Sequence, residues 1–276
     1  MKYEKVNWVI DTTIFESETD QGDFQSALER DDVNLVLTKY RPFDDNPNYG
    51  PIGFIGQPTV LYGSWNWLNK CKRQFTPGAL GMSNNLDCNV YYNYIPREWL
   101  LNGKNIVTTF GQFYRNPNYF YQLLNTEELF IRPMSGFKTF TGFVANIDEI
   151  SYELNASMQL TSVTPETYIM LAVVKQINSE FRFLIVNGEV VDGSMYRLAN
   201  KRNIQNTYPE GAFKLAHHMS QLPWQPDAAY TCDVASTPNG FLIIELNSFA
   251  CAGMYGMNKS KVIDAINQQA LREWSN

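Results

Sequence analysis

The chain has 276 residues, of which 44% are hydrophobic, 14% aromatic and 18% charged, and its formal net charge is −6. That balance excludes a disordered chain and supplies apolar material for one large domain or two modest ones. The acidic surplus argues against nucleic acid as a general partner, because such binding neutralises phosphates with cations. The first residues lack the apolar run of a signal peptide, and no stretch approaches the ~20 apolar residues that span a bilayer. A cytoplasmic protein without a membrane partner is the expectation.

In chain order, Trp8 to Ile10 and Val33 to Thr38 read as buried strands with a short helix from Phe24 to Arg30 between them. Pro58 to Tyr62 is a third strand, after which Ser64 is placed to cap a helix running to Arg73. Between strands two and three, Arg41 to Gly56 is rich in Pro, Gly, Asn and Asp and reads as a long loop. Such alternation predicts a parallel sheet with helices on its faces, so residues 1–115 are expected to form an α/β domain. Tyr91 to Asn102 is read as a strand and a helix, and Tyr119 to Asn125 as another helix.

From residue 128 strands follow in close succession: Glu128 to Pro133, Thr139 to Val144, Tyr168 to Val174, Glu180 to Val186 and Glu189 to Tyr196. Asn187 and Gly188 are a strong hairpin signal between the last two. A helix from Pro209 to Leu222, a hairpin turning at Ser236 to Gly240 and a final helix from Lys259 to Trp274 complete the chain. Residues 116–276 are therefore expected to be an α+β domain of antiparallel sheets with helices.

Four cysteines stand at 71, 88, 232 and 251 without a CxxC spacing, and the two histidines, His217 and His218, are adjacent. That pattern excludes a zinc site and suits reduced thiols. The two histidines are expected to be surface or core residues of their helix.

The late hairpin carries the chemistry. Side chains alternate along a strand, so Glu245 and Asn247 share a face while Leu246 takes the other, and the turn lays Asp233 beside them. Taken alone, an acidic pair there also fits a solvated face. The apolar flanks, Val234 and Phe241 to Ile244, imply partial burial, which unpaired carboxylates resist. Three oxygen donors suit a hard cation such as Mg²⁺, the usual companion of substrate phosphates. Cations precede this set. Arg132 ends a strand and Lys138 follows in a loop flexed by Gly136 and Gly142; Glu180 and Arg182 share a strand face, and Arg197 returns towards them. Sheet salt bridges would equally explain the Glu–Arg arrangement.

In this order the parts resemble the ATP-grasp superfamily, over residues 128 to 260. The stretch from Glu180 to Arg197, and the twelve residues from Asp233 to Glu245, look especially like the amino-acid ligases that add glutamate to a ribosomal protein. The resemblance implies a Rossmann-like domain preceding an ATP-grasp domain, and ATP and Mg²⁺ as cofactors. Arg132 and Lys138 would clamp phosphates, and backbone around Val174, Lys175 and Ile177 would face adenine. Glu180 would take the ribose hydroxyls or approach a metal, and Asp233, Glu245 and Asn247 would hold Mg²⁺. Arg182 and Arg197 would be the catalytic cations.

The family normally carries lysine where Arg132 stands, a substitution associated with a poorly characterised bacterial and phage clade. Its earlier nucleotide-binding lysine is not placed within residues 97–110. The implied activity joins a carboxylate to an amine of an amino acid or peptide through an acyl phosphate. Phosphate transfer to a stable acceptor, or nucleotide binding without catalysis, are the alternatives. Acceptor recognition is expected on the loops Arg41 to Gly56 and Tyr196 to Tyr208, the latter with Arg197, Lys201 and Arg202 as a basic patch. Asp233→Asn and Glu245→Ala are both expected to abolish turnover with the fold intact.

Overall fold

A computed structural model describes residues 5–41, 54, 56–71, 83–136 and 139–275. Near the N-terminus, β1 (Val6–Asp11) runs parallel to β2 (Val33–Thr38) and β3 (Thr59–Tyr62) in a three-stranded sheet of order β2-β1-β3. Every residue of β1 is buried, as expected of a central parallel strand covered on both faces. One cover is α1 (Glu18–Leu28), capped by Ser17, whose hydroxyl accepts from the Asp20 amide. The expected helix from Phe24 to Arg30 thus starts earlier, because capping and an acidic first turn outweigh the polar composition of residues 18–23.

The far end of the chain packs on the same face, while Trp67, Leu68 and Cys71 cover the other face against Val9 and Leu61. In α8 (Lys259–Ser275), Val262, Ile263, Ile266 and Ala270 make one apolar stripe that packs with Trp8, Phe24, Tyr62 and Phe249. The Trp8 indole donates to Asn267 at 2.8 Å, which fixes the register of that helix.

At the C-terminal end of β1 sits Asp11, fully buried. Its carboxylate accepts from the amide and hydroxyl of Thr13, the Tyr40 amide, and the amide and hydroxyl of Ser64. Ser64 is therefore spent on Asp11 rather than on capping α2 (Trp65–Cys71). Burial alone would raise the Asp11 pKa, but the bonds from Ser64, Thr13 and Tyr40 outweigh it and hold the carboxyl below its ordinary value. A folded pKa below the unfolded one adds stability that is complete above about pH 4 and fades as pH falls through the folded value. Asp11→Ala should cost about 3 kcal/mol, since several buried donors lose their acceptor together. Denaturant unfolding at neutral pH measures that loss, and it should shrink in acid.

Past residue 83 the expected strand and helix of Tyr91 to Asn102 are replaced by α3 (Cys88–Tyr91) and a 3₁₀ turn at Arg97–Trp99. Tyrosines and Pro96 end the helical turn, and the Leu101 amide donates to Ile243 at the edge of a later sheet. Next come β4 (Ile106–Thr109), α4 (Phe110–Arg115) and α5 (Pro117–Leu124). β5 (Glu128–Pro133), β6 (Phe143–Asn146) and β7 (Tyr168–Val173) join β4 in a four-stranded antiparallel sheet of order β4-β7-β5-β6.

The strand expected from Thr139 to Val144 begins only at Phe143; residues 139–140 are bends and 141–142 are irregular. α6 (Ile150–Leu160), absent from the sequence reading, follows at once and covers the sheet with Leu154 and Ile150.

A five-stranded antiparallel sheet of order β10-β9-β8-β11-β12 completes the fold. Its strands are β8 (Ser179–Val186), β9 (Glu189–Leu198), β10 (Lys201–Gln205), β11 (Ala229–Thr237) and β12 (Gly240–Ser248). Asn187 and Gly188 turn with φ of 51° and 78°, as a two-residue hairpin of type I′ requires. The expected loop from Tyr196 to Tyr208 is mostly strand, because Ala199 and Asn200 turn the chain tightly and β10 pairs back onto β9. α7 (Glu210–Ser220) packs beneath this sheet with Leu215 and Met219, leaving His217 and His218 exposed. All four cysteines are free thiols, and Cys232 is in the core. Among the described residues no helix is long and apolar enough to cross a membrane.

Candidate functional site

Where the four-stranded sheet faces the five-stranded one, a cavity of about 530 Å³ opens. Arg132 reaches it from β5, and Glu180 and Arg182 from β8. Arg197 comes from β9, Asp233 from β11 and Glu245 from β12. Val174, Lys175 and Ile177, in the segment joining β7 to β8, line its back. Asn247 lies at the neighbouring cavity, with its amide donating to Asp233 at 3.3 Å. Lys138 lies outside the described residues, as does most of the Arg41 to Gly56 segment.

Register explains the convergence. Asp233 is the direct cross-strand neighbour of Glu245 on one side and of Arg182 on the other. Alternation then sends Phe181, Phe183, Cys232 and Leu246 into the core behind. An irregularity between Asp233 and Val234 lets the acidic pair stand opposed although the turn alone would offset it.

Three ion pairs organise this surface. Arg182 makes a two-pronged contact with Asp233, 2.7 Å on each oxygen, with both residues buried. Asp233 raises the Arg182 pKa well beyond its ordinary value, overcoming the burial that alone would lower it. Arg132 meets Glu245 at 2.9 Å, a bridge from one sheet to the other. Arg197 meets Glu180 at 3.3 Å. The pattern gives both of the sequence readings for Glu180 and Arg182 their due: they share a face, and they are salt-bridged within the sheet.

Lys175 differs from these arginines. It donates to the Val173 carbonyl at 3.2 Å and to Asn102 at 3.5 Å, and no acid pairs with it among the described residues. Burial, then the nearby charge of Lys104, pushes its pKa down. Lys104 is the lysine within residues 97–110.

Two aromatic residues escaped the sequence reading. Tyr196 donates to Glu180 at 2.6 Å, and its ring stacks on Tyr255 with centroids 5.0 Å apart. The Arg182 guanidinium lies 5.5 Å from the first ring and 5.0 Å from the second. Tyr255 has φ of +44°, an unfavourable conformation for a bulky residue. Strand alternation from Glu180 offered no signal for either ring, since Tyr255 arrives from a loop after β12.

The donor chemistry of Asp233, Glu245 and Asn247 fits a hard cation: two carboxylates and one amide oxygen on adjoining strands. Asp233 Oδ2 accepts from Arg182, Asn247 and Tyr196, and Oδ1, which accepts from Arg182, keeps a second lone pair for a cation. No group of three or more His, Cys, Asp or Glu poised for a metal occurs among the described residues, so any such site depends on Asn247.

The family model for the ATP-grasp domain, R2K clade family 2, matches residues 118–265, more than half of the chain. The chain belongs to that ATP-grasp family. No curated protein matches it in sequence. Among solved structures it is similar to D-cycloserine synthetase DcsG, at TM-score 0.61 and 12% identity, over 98% of this chain and 97% of that one. A D-alanine–D-alanine ligase from Bacillus anthracis complexed with ATP gives TM-score 0.61 at 12% identity, over 98% of each chain. ATP-grasp ligase PsnB complexed with a minimal precursor gives 0.54 at 9%, over 95% and 98%. At such identities these likenesses establish the ATP-grasp fold, and the family's mixed sheets and helices are those described above.

Proposed function

We propose that this ATP-grasp protein is an ADP-forming ligase that joins a carboxylate to an amine of an amino acid or peptide, using Mg-ATP. The observation that carries the reading is the convergence of three arginine–carboxylate pairs on one cavity between two sheets, at volumes typical of small-ligand sites.

In this reading the segment of Val174, Lys175 and Ile177 holds the base, and Glu180 takes the ribose hydroxyls with Tyr196 steadying it. Arg132 and Lys138 clamp the phosphates. Asp233, Glu245 and Asn247 hold Mg²⁺, which when bound offsets the charge that builds on the transferring phosphoryl group. The substrate carboxylate attacks the γ-phosphorus, the bond to the β-phosphate oxygen breaks, and ADP leaves as the acyl phosphate forms. An amine then attacks the acyl carbon, Arg182 and Arg197 stabilise the tetrahedral oxyanion, and the C–O bond breaks to release inorganic phosphate, which takes up the amine proton. Asp233 takes the Nε and Nη2 fork of Arg182 and so fixes the guanidinium plane, which leaves the remaining Nη N–H donors for the oxyanion.

Thermal unfolding with Mg-ATP tests the nucleotide part. At a hundredfold excess over Kd the chain should gain about 2.7 kcal/mol, and an unchanged midpoint would remove the nucleotide from the proposal. Hydroxylamine trapping tests the rest. With a carboxylate substrate and ATP it should yield a hydroxamate, whereas a stable phosphorylated product would mark a kinase instead.

A further inference from the structure

The nucleotide cavity and its neighbour, of about 650 Å³, share two lining residues among those described, Arg182 and Tyr255. Much of Arg182 is already engaged. Its Nε and one Nη2 hydrogen go to Asp233, and one Nη1 hydrogen goes to the Gly253 carbonyl at 3.2 Å, which leaves one N–H on each terminal nitrogen. Two parallel bonds to a carboxylate hold a guanidinium within its plane, yet the plane can still tilt about the axis that joins those bonds. The Tyr255 ring opposes that tilt. Its centroid lies 5.0 Å from the guanidinium carbon, and it is stacked on Tyr196 at 5.0 Å and 13°.

A separate set of contacts holds the ring in place. The φ of +44° at Tyr255 is costly for a bulky residue, and such a conformation persists only where its surroundings impose it. Here the Tyr255 carbonyl accepts from Lys259, the Gly256 amide donates to the Ser194 hydroxyl at 3.1 Å, and the Asn258 amide donates to Asp192 at 2.7 Å. A Cβ on Gly256 would come within 3.0 Å of the same Ser194 hydroxyl, so the segment lies flush on β9. Each of these contacts uses backbone and would form with any side chain at position 255. The side chain itself acts through its ring face, and no hydrogen bond engages its hydroxyl among the described residues.

We infer that Tyr255 is a positioning residue for attack of the amine on the acyl carbon. The inference rests on the ligase reading above. The segment after β12 accepts backbone strain to lay an aromatic face against Arg182, and that face keeps the remaining guanidinium N–H groups at the junction of the two cavities, where the acyl carbon becomes tetrahedral. Phosphoryl transfer, served by Arg132 and the acidic side chains, does not call on the ring.

Single-turnover kinetics on the full chain test this, with Mg-ATP, a mixture of the common amino acids as carboxylates and excess hydroxylamine as the amine. ADP formed in the first turnover reports phosphoryl transfer, and hydroxamate reports attack on the acyl carbon. Tyr255→Ala and Tyr255→Gly should keep the ADP burst while hydroxamate formation slows at least about tenfold, less than the loss of an oxyanion donor outright. Tyr255→Phe keeps the ring and should restore the hydroxamate rate. Glycine adopts positive φ without penalty, so Tyr255→Gly should unfold at a higher temperature than Tyr255→Ala and yet be equally slow. A purely structural ring would instead give rates that follow stability, with ADP and hydroxamate falling together. With wild-type turnover intact, the inference alone is overturned by unchanged hydroxamate rates in both small variants, by parallel loss of the two products, by a Tyr255→Phe variant as slow as Tyr255→Ala, or by failure of both small variants to fold. A wild-type chain that forms no ADP in this mixture, or ADP without hydroxamate, removes the ligase reading and this role with it.

Discussion

Asp233→Asn should lower the stability of the chain by about 3 kcal/mol, besides abolishing ADP formation. The sequence alone led us to expect an inactive protein with its fold intact, and the geometry adds an expected loss of stability. Asp233 is 1% exposed and both of its oxygens receive Arg182, itself 7% exposed. Asparagine keeps the volume but turns an amino group towards a guanidinium and leaves that buried cation without a counter-charge. Donation from Arg182 to the Gly253 carbonyl at 3.2 Å and contact with two tyrosine rings retain part of the attraction, which places the loss at the lower end of the range for broken buried pairs.

For a chain of this size the midpoint should fall by roughly 6–12 °C. The double variant Arg182→Met/Asp233→Leu should recover most of that stability, because no charge remains to be buried, but none of the activity. Recovery of stability without turnover separates the structural role of the pair from its chemical one. A wild-type midpoint for Asp233→Asn alone would show that the pair contributes nothing to the fold.

The late hairpin was legible because its signals are local. Alternation put Leu246 in the core and Glu245 on the open face, and the turn before Gly240 brought Asp233 within one strand spacing. Parallel pairing of β1 to β3 was legible for the same reason, since apolar runs separated by a helix admit few arrangements. What stayed hidden depends on partners distant in the chain. Nothing near Asp233 reveals that β8 lies antiparallel on its other side, so the pairing with Arg182, 51 residues earlier, could not be read. The same holds for Arg132, whose partner Glu245 belongs to another sheet. Tyr255 is set by a loop conformation with positive φ, which sequence reading assigns to glycine or asparagine first. α6 was missed because Ser151, Asn155 and Ser157 dilute its apolar stripe; packing on β5 to β7, rather than propensity, supports it.

Glu245→Gln should separate two measurements. Mg-dependent ADP release should fall by at least about 100-fold, because a neutral amide is a poor ligand for a hard cation and the developing phosphoryl charge loses its counterweight. Binding of an ATP analogue in the absence of metal should instead hold or tighten. The Glu245 carboxylate repels phosphates and occupies Arg132 at 2.9 Å, so its removal frees a guanidinium that is 7% exposed at the side chain and in need of an anion. Arg132→Met makes the converse expectation: the site loses this guanidinium, and metal-free nucleotide binding weakens by about tenfold. A structural ion pair with no part in nucleotide chemistry would give the same sign in both variants, a loss of stability and no change in the metal requirement. Titrating Mg²⁺ against ADP release in Glu245→Gln therefore decides the assignment, and a wild-type titration curve would take Glu245 out of the metal site.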